Sequence, residues 1–490
     1  MTEQASPSVE TWRKAVDNST SQYYIASWLF IRVIALVYLI AFLSLSVQIT
    51  GLVGANGILP VADLLQYAQQ VSGVEARLHI PTLLWYNASD TALLTLCYAG
   101  VAFSVLLFFG RLQFFASISL FILYLSLFYA GQIFLRFQWD TLLLEAGFLT
   151  ILLVRGYHGI VIFLFHWLLF RLRFLSGVSK LEDPSWISLS SLNYYFETQP
   201  LPHIGAWYFH QLPELMLRAG TAFTLFVELI VPFFIFLPRK YRLFAAFSTI
   251  LLQLLIIASS NHNWINLLTI ALCLFLLDDR FMQSWTTRGI AARAEAFRQW
   301  SAYRYTRLVG ISYLMAALVI VPTSLSSAYT YFYQQPTHTV FDWVRSYGLG
   351  NVYHIFPTMQ TQRYEFDIQG SHDGRTWRSY KFKYKPNDRN HMPAFIVPHQ
   401  PRLDWMIWFV PSKSERMQYW FDAFIDALKR NSPEVTALLA HNPFPDSAPR
   451  YIRVQTWQTR FTSEAEYERT GAWWKARYLG DYPRVPPRIP

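Results

Sequence analysis

Phe137-Gln-Trp-Asp-Thr-Leu-Leu-Leu-Glu-Ala-Gly-Phe148 sets two carboxylates, Asp140 and Glu145, at the start of and within an apolar segment. An unpaired carboxylate in such surroundings is costly, so each needs a partner or water. Five residues apart, they lie about 500° round an ideal helix and do not share a tight face. Arg136 is the nearest cation, and Arg171 and Arg173 are further candidates. Two readings stay open at this point. The pair marks a polar site inside a helix bundle, or it forms ion pairs that lock neighbouring helices.

Outward from this stretch, apolar runs recur. The chain has 490 residues, 53% of them apolar and only 15% charged, which lies outside soluble composition. The runs fill roughly the first 330 residues, and a span needs about 20 apolar residues. Candidate spans are 25–48, 91–109, 114–135, 141–154, 159–175, 219–237, 242–260, 264–278 and 306–328. Those at 141–154 and 264–278 are short, so each is expected to be tilted, broken or re-entrant. The expected fold is a membrane all-α bundle of about nine transmembrane or re-entrant helices over 25–330, followed by a small α+β soluble domain over 335–490. Residues 1–24 form a cytoplasmic tail or a segment lying on the membrane surface. The first run is too long for a signal-peptide core and has no small-x-small cleavage site, so it is expected to stay as a span.

The net charge of +10 sits beside the spans, where it sets topology; nucleic acid is not implied as a partner, and the bilayer is. Arg239, Lys240 and Arg242, and the basic stretch from Arg280 to Arg307, are expected to face the cytoplasm. The 49–90 loop carries one Lys or Arg, Arg77, and is expected outside. With nine spans the C-terminal domain is then extracytoplasmic, in a bacterial inner membrane or the endoplasmic reticulum. Arg171 and Arg173 run against this scheme as outer-side charges. Trp28, Trp85, Tyr86, Trp207, Tyr208 and Trp264 fall near span ends and read as interfacial anchors. The two cysteines, Cys97 and Cys273, lie inside apolar runs, and no CxxC is present, which argues against thiol–disulfide chemistry.

Beyond residue 335 the periodicity changes. Tyr364, Phe366 and Ile368 alternate with polar residues before the turn Ser371-His-Asp-Gly374, which predicts a hairpin. ERMQYWFDAFIDALKRN and PEVTALLAH predict two amphipathic helices, with Asn442-Pro-Phe-Pro445 stopping the second. YIRVQTWQTRFT predicts another strand, and DYPRVPPRIP an extended end.

The string FQWDTLLLEAGFL resembles the signature of the lipase maturation factor family. Gly54-Ala-Asn-Gly57-Ile-Leu-Pro60, Phe196-Glu-Thr-Gln-Pro-Leu-Pro202 and Asn263-Trp-Ile-Asn266-Leu-Leu-Thr with Asp278-Asp279 are similar to further motifs of that family, in its order. So are Ser371-His-Asp-Gly-Arg-Thr-Trp377, Phe382-Lys-Tyr-Lys-Pro386, His399-Gln-Pro-Arg402-Leu-Asp404-Trp405, Asn442-Pro-Phe-Pro445 and Trp473-Trp474. The matches span nearly the whole chain. Departures are Gly350-Asn-Val-Tyr-His-Ile-Phe after Tyr347-Gly-Leu349, and Met406-Ile-Trp408 after Asp404-Trp405. The resemblance implies a membrane-bound folding or assembly factor for secreted lipases or a similar client, with the loops around 54–60 and 196–202 and the soluble domain as the client surface. It implies no cofactor.

Within the soluble half, His399, Arg402, Asp404 and Trp405 form the densest polar set. His beside Asp suits proton transfer, but no Ser or Cys nucleophile stands near and GxSxG is absent, so no residue is assigned a catalytic role. Recognition of a client, or an internal knot with Arg402 paired to Asp404 or to a membrane-side carboxylate, are the other readings. Ser371-His-Asp-Gly-Arg-Thr-Trp377 also resembles, weakly, the hairpin of discoidin-like carbohydrate-binding modules. Asn261, His262, Asn263 and Asn266 do not make a metal site; helix capping and interhelical hydrogen bonds are the default. The rival function is a membrane enzyme acting on a lipid or lipid-soluble substrate, since the layout distantly resembles the membrane domain of vitamin K-dependent carboxylases; Asp140, Glu145, Glu228 and His262 would then border its pocket. A transporter needs an internal repeat, and none is evident.

Overall fold

The computed structural model describes residues 22–156, 158–304, 306–335, 339–386, 388–412 and 415–482. The expectations for the segment before residue 22 and for the Pro-rich end beyond 482 fall outside those residues. Each of the nine apolar runs is helical: α1 (Tyr24–Ser46), α2 (Asp90–Phe108), α3 (Gln113–Ala130), α4 (Gln138–Leu153), α5 (Gly159–Lys180), α6 (Glu214–Leu229), α7 (Arg239–Ser259), α8 (Ile265–Cys273) and α9 (Arg307–Tyr333). Among the described residues, seven helices are long and apolar enough to cross a membrane, α6 being counted with the 3₁₀ turns that extend it to Phe236. The other two are the short ones. Helix α4 has 16 residues and α8 only 9 before a 3₁₀ turn ends at Leu276. A long apolar helix satisfies its own backbone inside lipid, which is why these runs fold as they do.

Helix α1 is the axis of the bundle. It packs on α2, α8, α4 and the helix Arg288–Arg304, burying Phe30, Ile34, Tyr38 and Phe42. At its start, Asp279 accepts from the backbone N–H groups of Tyr24 and Ile25, both at 2.9 Å, as an anion at a helix N-terminus should. Asp278 beside it pairs with Arg239 (2.8 Å) and Arg242 (3.3 Å). The far end of α1 meets the C-terminal domain. At ~1.5 Å per residue, Tyr24 and Ser44 are separated by about 30 Å of helix, the thickness of a hydrocarbon core.

The C-terminal domain holds one antiparallel sheet in the order β2-β1-β3-β4: β1 (Arg363–Ser371), β2 (Arg378–Ser379), β3 (Tyr451–Phe461) and β4 (Trp474–Asp481). In register, Arg363 faces Thr459, Phe366 faces Thr456 and Phe461 faces Trp474. Two helices complete the domain for the present purpose: α10 (Arg402–Ile407) and α11 (Glu415–Lys429). Helix α11 lays the buried Phe421 on the sheet, its centroid 5.7 Å from that of Phe366, and the buried Trp420 edge-on against Phe134 of the bundle, also at 5.7 Å.

Several expectations need correction. The second amphipathic helix is a single turn, Pro433–Thr436, because the backbone N–H groups of Ala440 and His441 turn back to the Lys381 carbonyl. In β1, Phe366 and Ile368 are buried but Tyr364 is only half-buried, while Arg363 and Glu365 are buried. Both faces of this strand are covered, so simple alternation fails. Trp207 and Trp264, read as membrane anchors, are core residues with 3% and 0% exposure. Trp207 donates its indole N–H to the Thr462 carbonyl at 3.0 Å.

Candidate functional site

The polar residues fall into a seam between bundle and C-terminal domain, and one cavity beside it. Asp140 lies in the first turn of α4, and its partner comes from 262 residues further along: Arg402 Nη1 donates to Oδ2 at 2.7 Å and Nη2 to Oδ1 at 2.8 Å. Tyr124 adds its hydroxyl at 2.6 Å, and Arg402 Nη1 also reaches the Phe134 carbonyl at 3.1 Å. The Arg402 guanidinium stands over the Trp264 ring, 5.4 Å from its centroid. Asp140 is 0% and Arg402 1% exposed. A flat, two-pronged cation suits this bidentate contact as lysine does not.

Glu145 has a separate set of donors. Arg171 of α5 forms an ion pair with it, and the Tyr353 hydroxyl (2.9 Å) and Asn351 side chain (3.2 Å) also donate. These last two belong to the segment that leads into the C-terminal domain. The carboxylate thus fastens that segment to the bundle. Arg136, the nearest cation in sequence, lies over the Tyr129 ring instead, 6.0 Å from its centroid.

His399-Gln-Pro-Arg-Leu-Asp-Trp405 acts as a strap rather than a cluster. His399 Nδ1 meets the Ser44 hydroxyl at 2.9 Å. Gln400 accepts from Asn263 at 2.9 Å through its side chain and from Gln48 at 2.8 Å through its carbonyl. Arg402 goes to Asp140, whereas Asp404 turns inward to accept the Tyr384 N–H at 2.7 Å. Burial pushes the Asp404 carboxyl up to about 6, against the pull of its backbone bond and of Lys385 and Lys383. Trp405 packs edge-on against Trp139, centroids 5.1 Å apart. Arg402, Asp404 and Trp405 are all buried and closed to a client; His399 is half-buried.

Phe196–Pro202, expected as an exposed loop, is buried throughout. Arg363 explains why. Its guanidinium donates to the carbonyls of Glu197 (3.1 Å), Gln199 and Pro200 (3.1 Å) and pairs with Glu365, which Lys385 also meets at 2.9 Å. Of the other loop, Gly54–Pro60, only Ala55 and Asn56 are exposed; the Asn56 carbonyl accepts from Ser432 at 2.7 Å. Sequence reading missed Arg363, Glu365 and Lys385, since charged residues on a strand normally mark its wet face.

Glu228, His262 and Asn266 come together, away from Asp140 and Glu145. With Arg173, Lys180 and Gln253 they line a cavity of about 70 Å³ between α5, α6, α7 and α8. Glu228 binds Arg173 at 2.6 Å and Lys180 at 2.7 Å. Lys180 donates further to the carbonyls of Ile355 (2.7 Å) and Ser176 (3.2 Å), so its ammonium is held between one carboxylate and two carbonyls. Ile355 and Phe356, from the segment entering the C-terminal domain, also line the cavity. Tyr195 connects Ser260 (2.9 Å) with His262 Nε2. Burial, with His203 nearby, pushes His262 down to about 3, so the imidazole is neutral. Lys180 was missed, and Arg173, read as a candidate partner of Asp140 or Glu145, pairs with Glu228 instead, though the seven-residue spacing of the two cations puts them on one face of a helix. Arg171 and Arg173 are buried inside α5 and paired, so neither counts as a loop charge. Among the described residues no group of three or more His, Cys, Asp or Glu could hold a metal ion.

Two family descriptions match the chain: Lipase maturation factor transmembrane domain over residues 25–284 and Lipase maturation factor C-terminal domain over 349–485. Lipase maturation factor 2 of Xenopus laevis is 31% identical, covering 91% of this chain and 80% of that protein. Lipase maturation factor 2 of Homo sapiens is 31% identical over 93% and 81%. Lipase maturation factor 1 of Mus musculus is 30% identical over 94% and 87%. No solved structure matches.

Proposed function

The chain belongs to the lipase maturation factor family, and from that premise we propose that it is a multi-pass membrane platform on which a secreted, lipase-like client folds or assembles. The observation that carries this reading is the Asp140–Arg402 pair. It joins bundle and C-terminal domain through a fully buried bidentate contact, as a rigid scaffold requires. The motif with the strongest look of a catalytic set is spent on the same joint.

The basic segments at Arg239–Arg242 and Arg288–Arg304 gather at the Tyr24 end of α1, and the C-terminal domain at the Ser44 end. The positive-inside rule then puts that domain on the extracytoplasmic side, where a secreted client passes. There, the helix Val61–Ser72 and the residues after it expose Tyr67, Val71, Val74 and Leu78. Such a grouped apolar surface suits protein contact. We assign the client to it in place of the buried 196–202 loop.

The enzyme alternative is less well supported. Its pocket was to be bordered by Asp140, Glu145, Glu228 and His262, yet only the last two reach the cavity, and every one of the three carboxylates is held by an arginine. Crosslinking in intact membranes, read by mass spectrometry, separates the two. A secreted enzyme recovered in stoichiometric complex supports the platform. Turnover of a lipid by the purified protein, lost in Glu228→Gln, would replace it with the enzyme.

A further inference from the structure

The cavity between α5, α6, α7 and α8 is not closed in the way the seam is. Two cations, Arg173 and Lys180, face one carboxylate, Glu228, and His262 is neutral, so one positive charge is left over. Arg173 Nε, Trp186 Nε1, Gln253 Nε2 and Asn266 Nδ2 are buried donors without a hydrogen-bond partner. Beside them His262 Nδ1 is unbonded, as is the Glu228 Oε2 acceptor apart from its ion pair with Lys180, and the four donor residues are 2–3% exposed. Four such donor residues, from four different helices, line one space. Water fills a volume of this size with about two molecules and satisfies donors, but it does not neutralise a buried charge. An anion does both, and leaving such a charge uncompensated is costly.

We propose that this cavity binds one small monoanionic group, a carboxylate or a halide, held by the Arg173 guanidinium and the side-chain amides of Gln253 and Asn266. Leu192, Ile256 and Ile265 add apolar wall, beside Thr224 and Thr269. The group therefore arrives free from solution or as the carboxylate end of a fatty acid drawn from the bilayer. Two more features fit a binding pocket. Its Phe356 lining residue holds a left-handed backbone (φ 51°), a strain that such sites retain. The same ring lies tilted against His262, centroids 4.7 Å apart, so the pocket is in contact with the segment entering the C-terminal domain.

The test uses the full chain in neutral detergent and a sulfonate buffer free of halide and carboxylate. Chloride, acetate and oleate below its micelle concentration are titrated separately, with methyl oleate as the uncharged control. Thermal midpoint and tryptophan fluorescence are read, Trp186 lining the cavity. A saturable rise of several degrees with at least one anion, and none with methyl oleate, is expected. Response to chloride or acetate identifies a free anion; response to oleate alone identifies an acyl carboxylate. Gln253→Glu and Asn266→Asp each supply the missing negative charge, and each should weaken binding at least tenfold while the midpoint without anion stays level or rises. No saturable response to any anion, an equal response to methyl oleate, or undiminished affinity in both variants would overturn the proposal.

Discussion

The Asp140–Arg402 seam and the Arg173–Glu228–Lys180 cavity are built from the same materials, buried carboxylates and buried cations, yet they end differently. At the seam the charges cancel, and neither Asp140 nor Arg402 keeps a buried atom without a partner. In the cavity one positive charge and four unbonded donors remain, with Glu228 Oε2 also unbonded apart from its ion pair with Lys180. A fully satisfied network fixes geometry and has nothing left to offer a ligand. An unsatisfied one, at equal burial, is stable only if something else enters. Surplus, more than burial, separates a joint from a site.

Breaking the seam should have the largest effect. Arg402→Met strands the Asp140 charge and is expected to cost about 3–5 kcal/mol, read as a fall in thermal midpoint and as new protease cleavage between bundle and C-terminal domain. Combining it with Asp140→Leu should restore most of that loss, because an apolar pair of similar volume replaces the charges. Next comes Glu145→Gln, which keeps one acceptor oxygen for Asn351 and Tyr353 but leaves Arg171 uncompensated. A loss of about 2–4 kcal/mol is expected, with faster hydrogen exchange in residues 348–355.

Asp404→Asn should act in the opposite sense. The folded carboxyl titrates near 6 against an ordinary value of 3.8. Between these values the folded state holds the proton more tightly than the unfolded chain, so this group's favourable contribution is whole below about pH 4 and is lost as pH rises through 6. The amide keeps the oxygen that Tyr384 needs. The variant is therefore expected to gain about 1–2 kcal/mol at pH 7.5 and little at pH 4, narrowing the difference in midpoint between the two. The smallest effect on stability belongs to the exposed surface. Val71→Glu with Val74→Glu should stay within about 0.5 kcal/mol while client recovery by crosslinking drops; unchanged recovery would move the client elsewhere.

The bundle was legible because lipid imposes one rule on long apolar runs, and even the brevity of α4 and α8 shows in the sequence. Asp140 and Glu145 declared their need for partners in the same way. Their partners were readable only in part. Arg171 stands among the candidates and pairs with Glu145, and Arg402 with a membrane-side carboxylate is one of the open readings. That it takes Asp140, 262 residues away, was not legible, and Arg136 beside them lies over Tyr129. Arg171 and Arg173 misled because the apolar run was ended too early, before Lys180. The buried strand charges Arg363 and Glu365 and the buried 196–202 loop were misread for one reason. Each is polar where it meets the other, and periodicity carries no trace of a partner that folds back from afar.

A double-mutant cycle on Asp140 and Arg402 tests the joint most directly, with Asp140→Leu, Arg402→Met and the pair compared by unfolding of the detergent-solubilised protein. A coupling energy of about 2 kcal/mol or more is predicted, the pair being far more stable than the sum of the singles allows. Additivity within about 0.5 kcal/mol would mean that these two side chains do not hold the bundle and the C-terminal domain together.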